Sequence, residues 1–168
     1  MLASDLDDLY RAILLDHYRN PRHRGRLVGE WVSSADGANP LCGDQLVVDV
    51  RLDDEGCVAE IAFEGTGCSI SQASASMMTD YVEGRPATEA AASVAGFQEM
   101  MISGKAPEGF GDLEALTGVS KFPVRVKCAS LGWKTLEQAL VIAEPGETPV
   151  PISVTTDERS FGDDRDDA

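Results

Sequence analysis

Apolar residues recur at steps of three and four through Leu6, Leu9, Tyr10, Ile13, Leu14 and His17, which predicts one amphipathic helix ended by Asn20-Pro21. From Leu46 to Leu52 the period changes to two. Leu46, Val48, Val50 and Leu52 share one face and Val47, Asp49 and Arg51 the other, the pattern of a half-buried strand. Asp53-Asp54-Glu55-Gly56 reads as a turn, after which Cys57, Ala59, Ile61 and Phe63 point inward and Glu60 and Glu64 outward, so the two runs predict an antiparallel hairpin. Part of the stretch from Trp31 to Gly37 supplies a third strand. Beyond the hairpin the helical period returns: Ile70, Ala73, Met77 and Tyr81 share a face before Gly84 and Pro86 stop the run. Thr88 is placed to cap the next helix, whose apolar side is Val94, Phe97 and Met101. Residues 104–111 read as a Gly/Pro-rich loop and 112–116 as a short turn. A last helix is expected from near Ser130, burying Trp133, Leu136, Leu140 and Ala143. Strands first and helices afterwards predict an α+β fold, a small antiparallel sheet of about three strands packed on one face by several α-helices.

At 168 residues and 43% apolar content the chain has the size and core of one domain. Charge changes that picture at one end. The chain carries 29 acids against 14 Lys and Arg, a net −15, and residues 144–168 alone hold eight acids and two arginines. With Pro145, Pro149 and Pro151 and few large apolar residues, 144–168 reads as a disordered acidic tail behind a domain at 1–143, with Val150 to Val154 able to lie down as a short strand. A field of this sign repels phosphate backbones and anionic lipid, which excludes general nucleic-acid binding. No apolar run approaches the roughly 20 residues that span a bilayer, and the acidic start Ser4-Asp5-Leu6-Asp7-Asp8 is unlike a secretion or transit signal. A cytoplasmic protein with no membrane contact is expected. Arg19, Arg22, Arg24 and Arg26 make the strongest positive spot, which reads either as a solvated loop neutralising nearby acids or as a docking patch for an acidic partner.

Four cysteines, Cys42, Cys57, Cys68 and Cys128, are too few and too far from any export signal to read as disulfide staples. In Leu41-Cys42-Gly43-Asp44, alternating side chains of extended backbone let Cys42 and Asp44 face a common point, with Gly43 removing bulk between them. Gly65-Thr66-Gly67-Cys68 leads from strand to helix and puts Cys68 at a helix entrance, where unsatisfied N–H groups favour a thiolate. Cys128 is expected to repeat that arrangement ahead of Ser130 as N-cap, with Arg125 and Lys127 nearby. Cys57 falls on the apolar face of its strand and reads as a small buried hydrophobe. Three thiolates and a carboxylate make a four-coordinate set for zinc, and the same set suits an iron–sulfur cluster. Separate structural cysteines remain the alternative, because gaps of this length match no local finger pattern. His17, on the buried stripe, reads as a satisfied core residue, and the Met77-Met78 and Met100-Met101 pairs as core filler. Neither a phosphate-binding glycine loop nor a serine nucleophile elbow is present.

Four ordered motifs resemble one family. Tyr10 to Leu15 with Asp16-His17-Tyr18-Arg19-Asn20-Pro21-Arg22, Asn39-Pro40-Leu41-Cys42-Gly43-Asp44, Gly65-Thr66-Gly67-Cys68-Ser69-Ile70-Ser71-Gln72-Ala73-Ser74-Ala75-Ser76, and Phe122-Pro123-Val124-Arg125-Val126-Lys127-Cys128-Ala129 are similar to the IscU-like iron–sulfur cluster assembly family over about residues 5–143. The family's scaffold class has a histidine directly before its last cysteine, where this chain has Lys127, and lacks the added stretch at about 104–121. Both departures resemble the SufU class of zinc-dependent sulfurtransferases. That resemblance implies a persulfide acceptor working with a SufS-type, pyridoxal-phosphate-dependent cysteine desulfurase and passing sulfur to a downstream Suf cluster-assembly complex. It implies Cys42, Asp44, Cys68 and Cys128 as zinc ligands and Cys42 as the catalytic sulfur acceptor, freed when a partner histidine takes its place on zinc. A scaffold holding a transient iron–sulfur cluster on the same residues is the alternative, and zinc as a purely structural brace is a third reading. Arg125 is a further residue that could touch the persulfide or the partner.

Overall fold

The structure, a computed structural model, describes residues 2–143 and 152–155. Helix α1 (Leu2–Arg19) precedes three strands, β1 (Val32–Asn39), β2 (Asp44–Leu52) and β3 (Val58–Thr66). Helices α2 (Ser69–Val82) and α3 (Ala87–Ser103), a 3-10 helix (Gly111–Lys121), α4 (Pro123–Ile142) and strand β4 (Ile152–Thr155) follow. The strands stand in the order β3-β2-β1-β4. The expected hairpin and third strand are present, β2 pairing antiparallel with both β3 and β1, and β4 adds a parallel edge beside β1. The rest of the stretch read as an acidic tail lies outside the described residues.

Leu46, Val48, Val50, Ile61 and Phe63 form the inward face of the sheet, under α2 and α4. Helix α2 is buried on nearly every side from Ser71 to Thr79 rather than on one stripe. Its small residues allow that: Gly132 of α4 packs directly on Ala75. Its hydroxyls are used across the interfaces, Ser74 donating to the Ala129 carbonyl at 2.7 Å and accepting from the buried Trp133 indole at 3.2 Å. Trp133 stacks on Phe97 with ring centroids 4.6 Å apart, and the four methionines of the two pairs fill the core as expected.

His17 is 3% exposed and its Nδ1 lies 2.8 Å from Ser76 Oγ, the satisfied core histidine the helix pattern implies. Burial, reinforced by Arg22, pushes its pKa below the ordinary value. The unfolded chain therefore binds a proton that the folded one refuses, so the His17 contribution to stability is complete above about pH 6.5 and is lost as pH falls through the folded value. Urea midpoints should drop between pH 7 and pH 5 for the parent, and His17→Gln should flatten that part of the profile.

Several local expectations are corrected. Cys57 lies before β3, half-buried in the turn, because its N–H is held by Asp53 Oδ1 at 2.9 Å. A register shift between Arg51 and Leu52 brings Val58 inward and leaves Ala59 exposed. Pro86, not Thr88, precedes α3, and the turn at 112–116 is part of an eleven-residue 3-10 helix. Ser130 caps nothing, since α4 begins seven residues earlier with Pro123 in its first turn, where a missing N–H has no cost. Asp49, on the outward face of β2, is fully buried because the basic segment crosses it: Arg26 Nε and the Leu27 N–H donate to Asp49 Oδ2 at 2.7 and 3.0 Å. With Arg26 on Asp49 and Arg22 on Asp16, both at 2.7 Å, this segment sets arginines against nearby acids, as one of its two expected readings has it.

Candidate metal centre

The turn from β1 to β2 makes one wall of the site. Asn39 is fully buried; its carbonyl accepts the N–H of Cys42 at 3.2 Å and of Gly43 at 2.9 Å, and its Oδ1 accepts the N–H of Leu41 at 3.2 Å. Gly43 completes the turn with φ +72°, and a Cβ at this position would have no atom within 4 Å, so glycine is required there for backbone shape rather than for room. Cys42 is thereby held at the surface while Asp44, two residues on, is 1% exposed.

The second wall is the entrance to α2. Cys68 is its N-cap, as the sequence implies, and the Asp44 carboxylate receives the Cys68 N–H on Oδ1 at 3.0 Å while Oδ2 lies 3.7 Å from Cys68 Sγ. The approach is close because Gly67 has no side chain: a Cβ there would sit 2.8 Å from Asp44 Oδ1.

Cys128 supplies the third wall, from inside α4 rather than from a helix entrance. Its Sγ lies 3.2 Å from Cys42 Sγ and receives the Asn39 Nδ2–H at 3.7 Å. Ligand atoms of Cys42, Asp44 and Cys128 all fall within 4.8 Å of one another. Cys68 stands beside Asp44, outside that tight trio. Three of the expected four thus come together, with Cys68 next to Asp44, while Cys57 stays away in its turn, where burial and the neighbouring Asp53 and Glu55 push its thiol up.

The electrostatics at Cys128 run opposite to a helix-entrance thiolate. Burial pushes the Cys128 thiol well above its ordinary range, and the hydrogen bond to Cys42 and the charges of Cys68 and Asp44 push it further. Soft sulfur donors and one carboxylate converge where their combined negative charge has no reason to exist without a cation. That chemistry fits a thiophilic divalent metal such as zinc, which takes both cysteine sulfur and carboxylate oxygen as ligands.

Asn39 is the functional residue the sequence reading left without a role; the signal for it is the Asn-Pro pair ahead of the cysteine, which marks an Asx-type turn. Asn39→Ala is expected to weaken zinc binding by about tenfold, the usual cost of removing a group that orients a ligand. Competition against a chromophoric chelator measures it, and unchanged affinity would contradict the role. A cleft of about 480 Å³ lined by His17, Tyr81, Arg85, Phe110 and Asp112 among others lies at the other end of α2, roughly 20 Å of helix from Cys68. It holds no cysteine.

Residues 9–143 match the NifU-like N-terminal domain family. The chain belongs to that family. This NifU-like chain is 46% identical over 146 residues to the zinc-dependent sulfurtransferase SufU of Bacillus subtilis (strain 168), covering 85% of this chain and 97% of that protein. It is 42% identical over 142 residues to the iron–sulfur cluster assembly scaffold protein IscU of Streptococcus pyogenes serotype M1, covering 83% and 87%. The crystal structure of a nitrogen-fixing NifU-like protein (N-terminal) from Brucella abortus has a TM-score of 0.75 at 27% identity, over 84% of this chain and 98% of that one. The α+β architecture is therefore that of the NifU-like domain. Among the described residues no helix is long and apolar enough to cross a membrane.

Proposed function

We propose that this NifU-like chain is a zinc-dependent sulfurtransferase that accepts persulfide sulfur from a SufS-type cysteine desulfurase and passes it on, in the cytoplasm, to the Suf machinery for iron–sulfur cluster biogenesis. The observation that carries the reading is the asymmetry of the cysteine cluster. Cys42, on a turn between strands, and Cys68, at the entrance to α2, are exposed, whereas Asp44 and Cys128 are buried behind them. A purely structural brace has no need of thiol ligands at the surface, while an acceptor does. The 46% identity to the B. subtilis sulfurtransferase over nearly its whole length supports the same reading.

Cys42, Asp44, Cys68 and Cys128 would hold the metal. Bound zinc supplies charge compensation, keeping the thiols deprotonated and protected from oxidation in the resting protein. The transfer itself belongs to Cys42. Its thiolate attacks the outer sulfur of the partner's cysteine persulfide, a new S–S bond forms at Cys42 Sγ, the old S–S bond breaks, and the partner's cysteine leaves as a thiolate. Cys42 then carries the persulfide with no net oxidation or reduction. Asn39 keeps the turn in the shape that presents Cys42, and the Cys68 N–H holds Asp44 in place.

A second reading, a scaffold binding a transient iron–sulfur cluster on the same four residues, is favoured by the 42% identity to the S. pyogenes scaffold. Lys127 argues against it, because a cation directly before Cys128 removes an extra imidazole ligand for iron. Sulfide release by a cognate cysteine desulfurase with reductant separates the two. Strong multiple-turnover stimulation by the zinc-loaded chain supports the transferase; no stimulation with the zinc site intact supports the scaffold.

A further inference from the structure

The cleft at the far end of α2 is built from groups the sulfur chemistry does not use. His17 lines it although the residue is 3% exposed, so what the imidazole shows to solvent it shows there. Ser76 decides which nitrogen that is. Its hydroxyl oxygen accepts the Arg22 N–H at 2.8 Å and lies 2.8 Å from His17 Nδ1, with no other acceptor for its own proton among the described residues. The Ser76 O–H therefore donates to Nδ1, and the neutral ring carries its proton on Nε2. Among the described residues, the polar side-chain atoms sealed from solvent without a partner belong to Gln72 and Ser130 alone, so Nε2 opens on the cleft as an unused donor.

The walls add charge and apolar surface. Phe110 meets Tyr81 edge to face with ring centroids 5.3 Å apart, and the Arg85 guanidinium lies 3.9 Å over Tyr81 while its Nε donates to the Tyr81 carbonyl at 2.7 Å. Glu83 is turned to His23, 3.0 Å away. Asp80 and Asp112 both act on the His17 ring through their charge, yet neither makes a side-chain hydrogen bond or ion pair among the described residues. Three acids on the walls exclude a simple anion, and the proton on Nε2 leaves that nitrogen no lone pair for a metal ion. A cationic group for Asp80 and Asp112, joined to an oxygen acceptor for Nε2–H, satisfies both. Arg85 beside the donor favours a carboxylate as that acceptor. The volume of about 480 Å³ lies within the range of about 300–1,000 Å³ usual for small-molecule sites.

We propose that this cleft binds a free α-amino acid, its carboxylate on His17 Nε2–H and Arg85, its ammonium on Asp80 and Asp112, and its side chain against Phe110. The site is separate from the cysteine cluster and does not rest on the sulfur-acceptor reading.

Heteronuclear NMR of the zinc-loaded full chain tests it. The imidazole nitrogen shifts should first show His17 protonated on Nε2; a ring protonated on Nδ1 would overturn the proposal. The chain is then titrated with each of the common L-amino acids, with the matched amines lacking the carboxylate, and with the matched acids lacking the ammonium. At least one amino acid should shift His17 Nε2 and the Gly84, Gly109 and Gly111 amides saturably while the Gly43 and Gly67 amides stay in place. Its matched amine and acid should each bind about tenfold more weakly, the scale of one lost charge-assisted contact. Asp80 and Asp112 are exposed, so changing both to Asn should leave the urea midpoint unchanged and weaken binding by about tenfold or more. No saturable shift with any amino acid, a matched amine or acid that binds as tightly, or full affinity in the double Asn variant would overturn the site.

Discussion

Cys42→Ala is expected to reduce persulfide acceptance by about 10³-fold or more, the scale of loss when a nucleophile is removed, with the fold kept. Two features separate the effects. The thiol is exposed on a turn, so alanine leaves no cavity in the core. The turn is held by backbone bonds from Cys42 and Gly43 to the Asn39 carbonyl, which alanine preserves. Circular dichroism and the urea midpoint should stay close to the parent, zinc should bind more weakly but still bind, and stimulation of the desulfurase should vanish. Unfolding of the variant would instead point to zinc as a structural brace. The same exchange at Cys128 should behave differently, because that sulfur is buried between α4 and Asn39.

Gly65→Val should be the most damaging single change to the framework of the site. Gly65 pairs with Leu46 across β2 and β3, and a Cβ there would meet the Gln45 carbonyl oxygen at 2.0 Å and Leu46 Cα at 2.9 Å. Both obstacles are backbone, so relief requires parting the strands beside Asp44 on one side and Cys68 on the other. A cost of about 3 kcal/mol, at the upper end for overpacking, is expected, together with loss of zinc on dialysis. Urea unfolding and metal content check the two halves. A valine variant as stable as the parent would mean that the pairing at this end of the sheet is looser than described.

The parts of this architecture with strong periodicity were legible in the chain. The Leu46–Leu52 alternation and the acidic turn after it stand where their spacing puts them, and α1 buries His17, although Leu6 and Leu9 at the start of its expected stripe are 46% and 55% exposed. Cys68 also stands as expected, at the entrance to α2. What was hidden depends on contacts between distant segments. Val124-Arg125-Val126-Lys127 has a period of two and no helical stripe, so the first turns of α4 are invisible unless Pro123 is read as a first-turn proline. Their helicity places Cys128 inside α4, which reverses the expected direction of its thiol's shift. Asp49 is buried only because residues 26 and 27 come back across the sheet. The convergence of Cys42, Asp44 and Cys128 is of the same kind: sequence gaps of up to 86 residues carry no sign that two sulfurs end 3.2 Å apart.

The zinc-dependent transferase and the cluster scaffold share their ligands, so metal content alone distinguishes them poorly. Where the sulfur goes distinguishes them directly. The zinc-loaded chain would be mixed with a cysteine desulfurase carrying its persulfide, without reductant, quenched with an alkylating reagent and digested. Mass spectrometry of the cysteine peptides then reads the added sulfur. One extra sulfur atom on the Cys42 peptide, absent from the Cys57 peptide and from the Cys42→Ala variant, is the predicted result. A zinc-replete chain whose Cys42 never gains sulfur from a desulfurase that remains loaded would contradict the account.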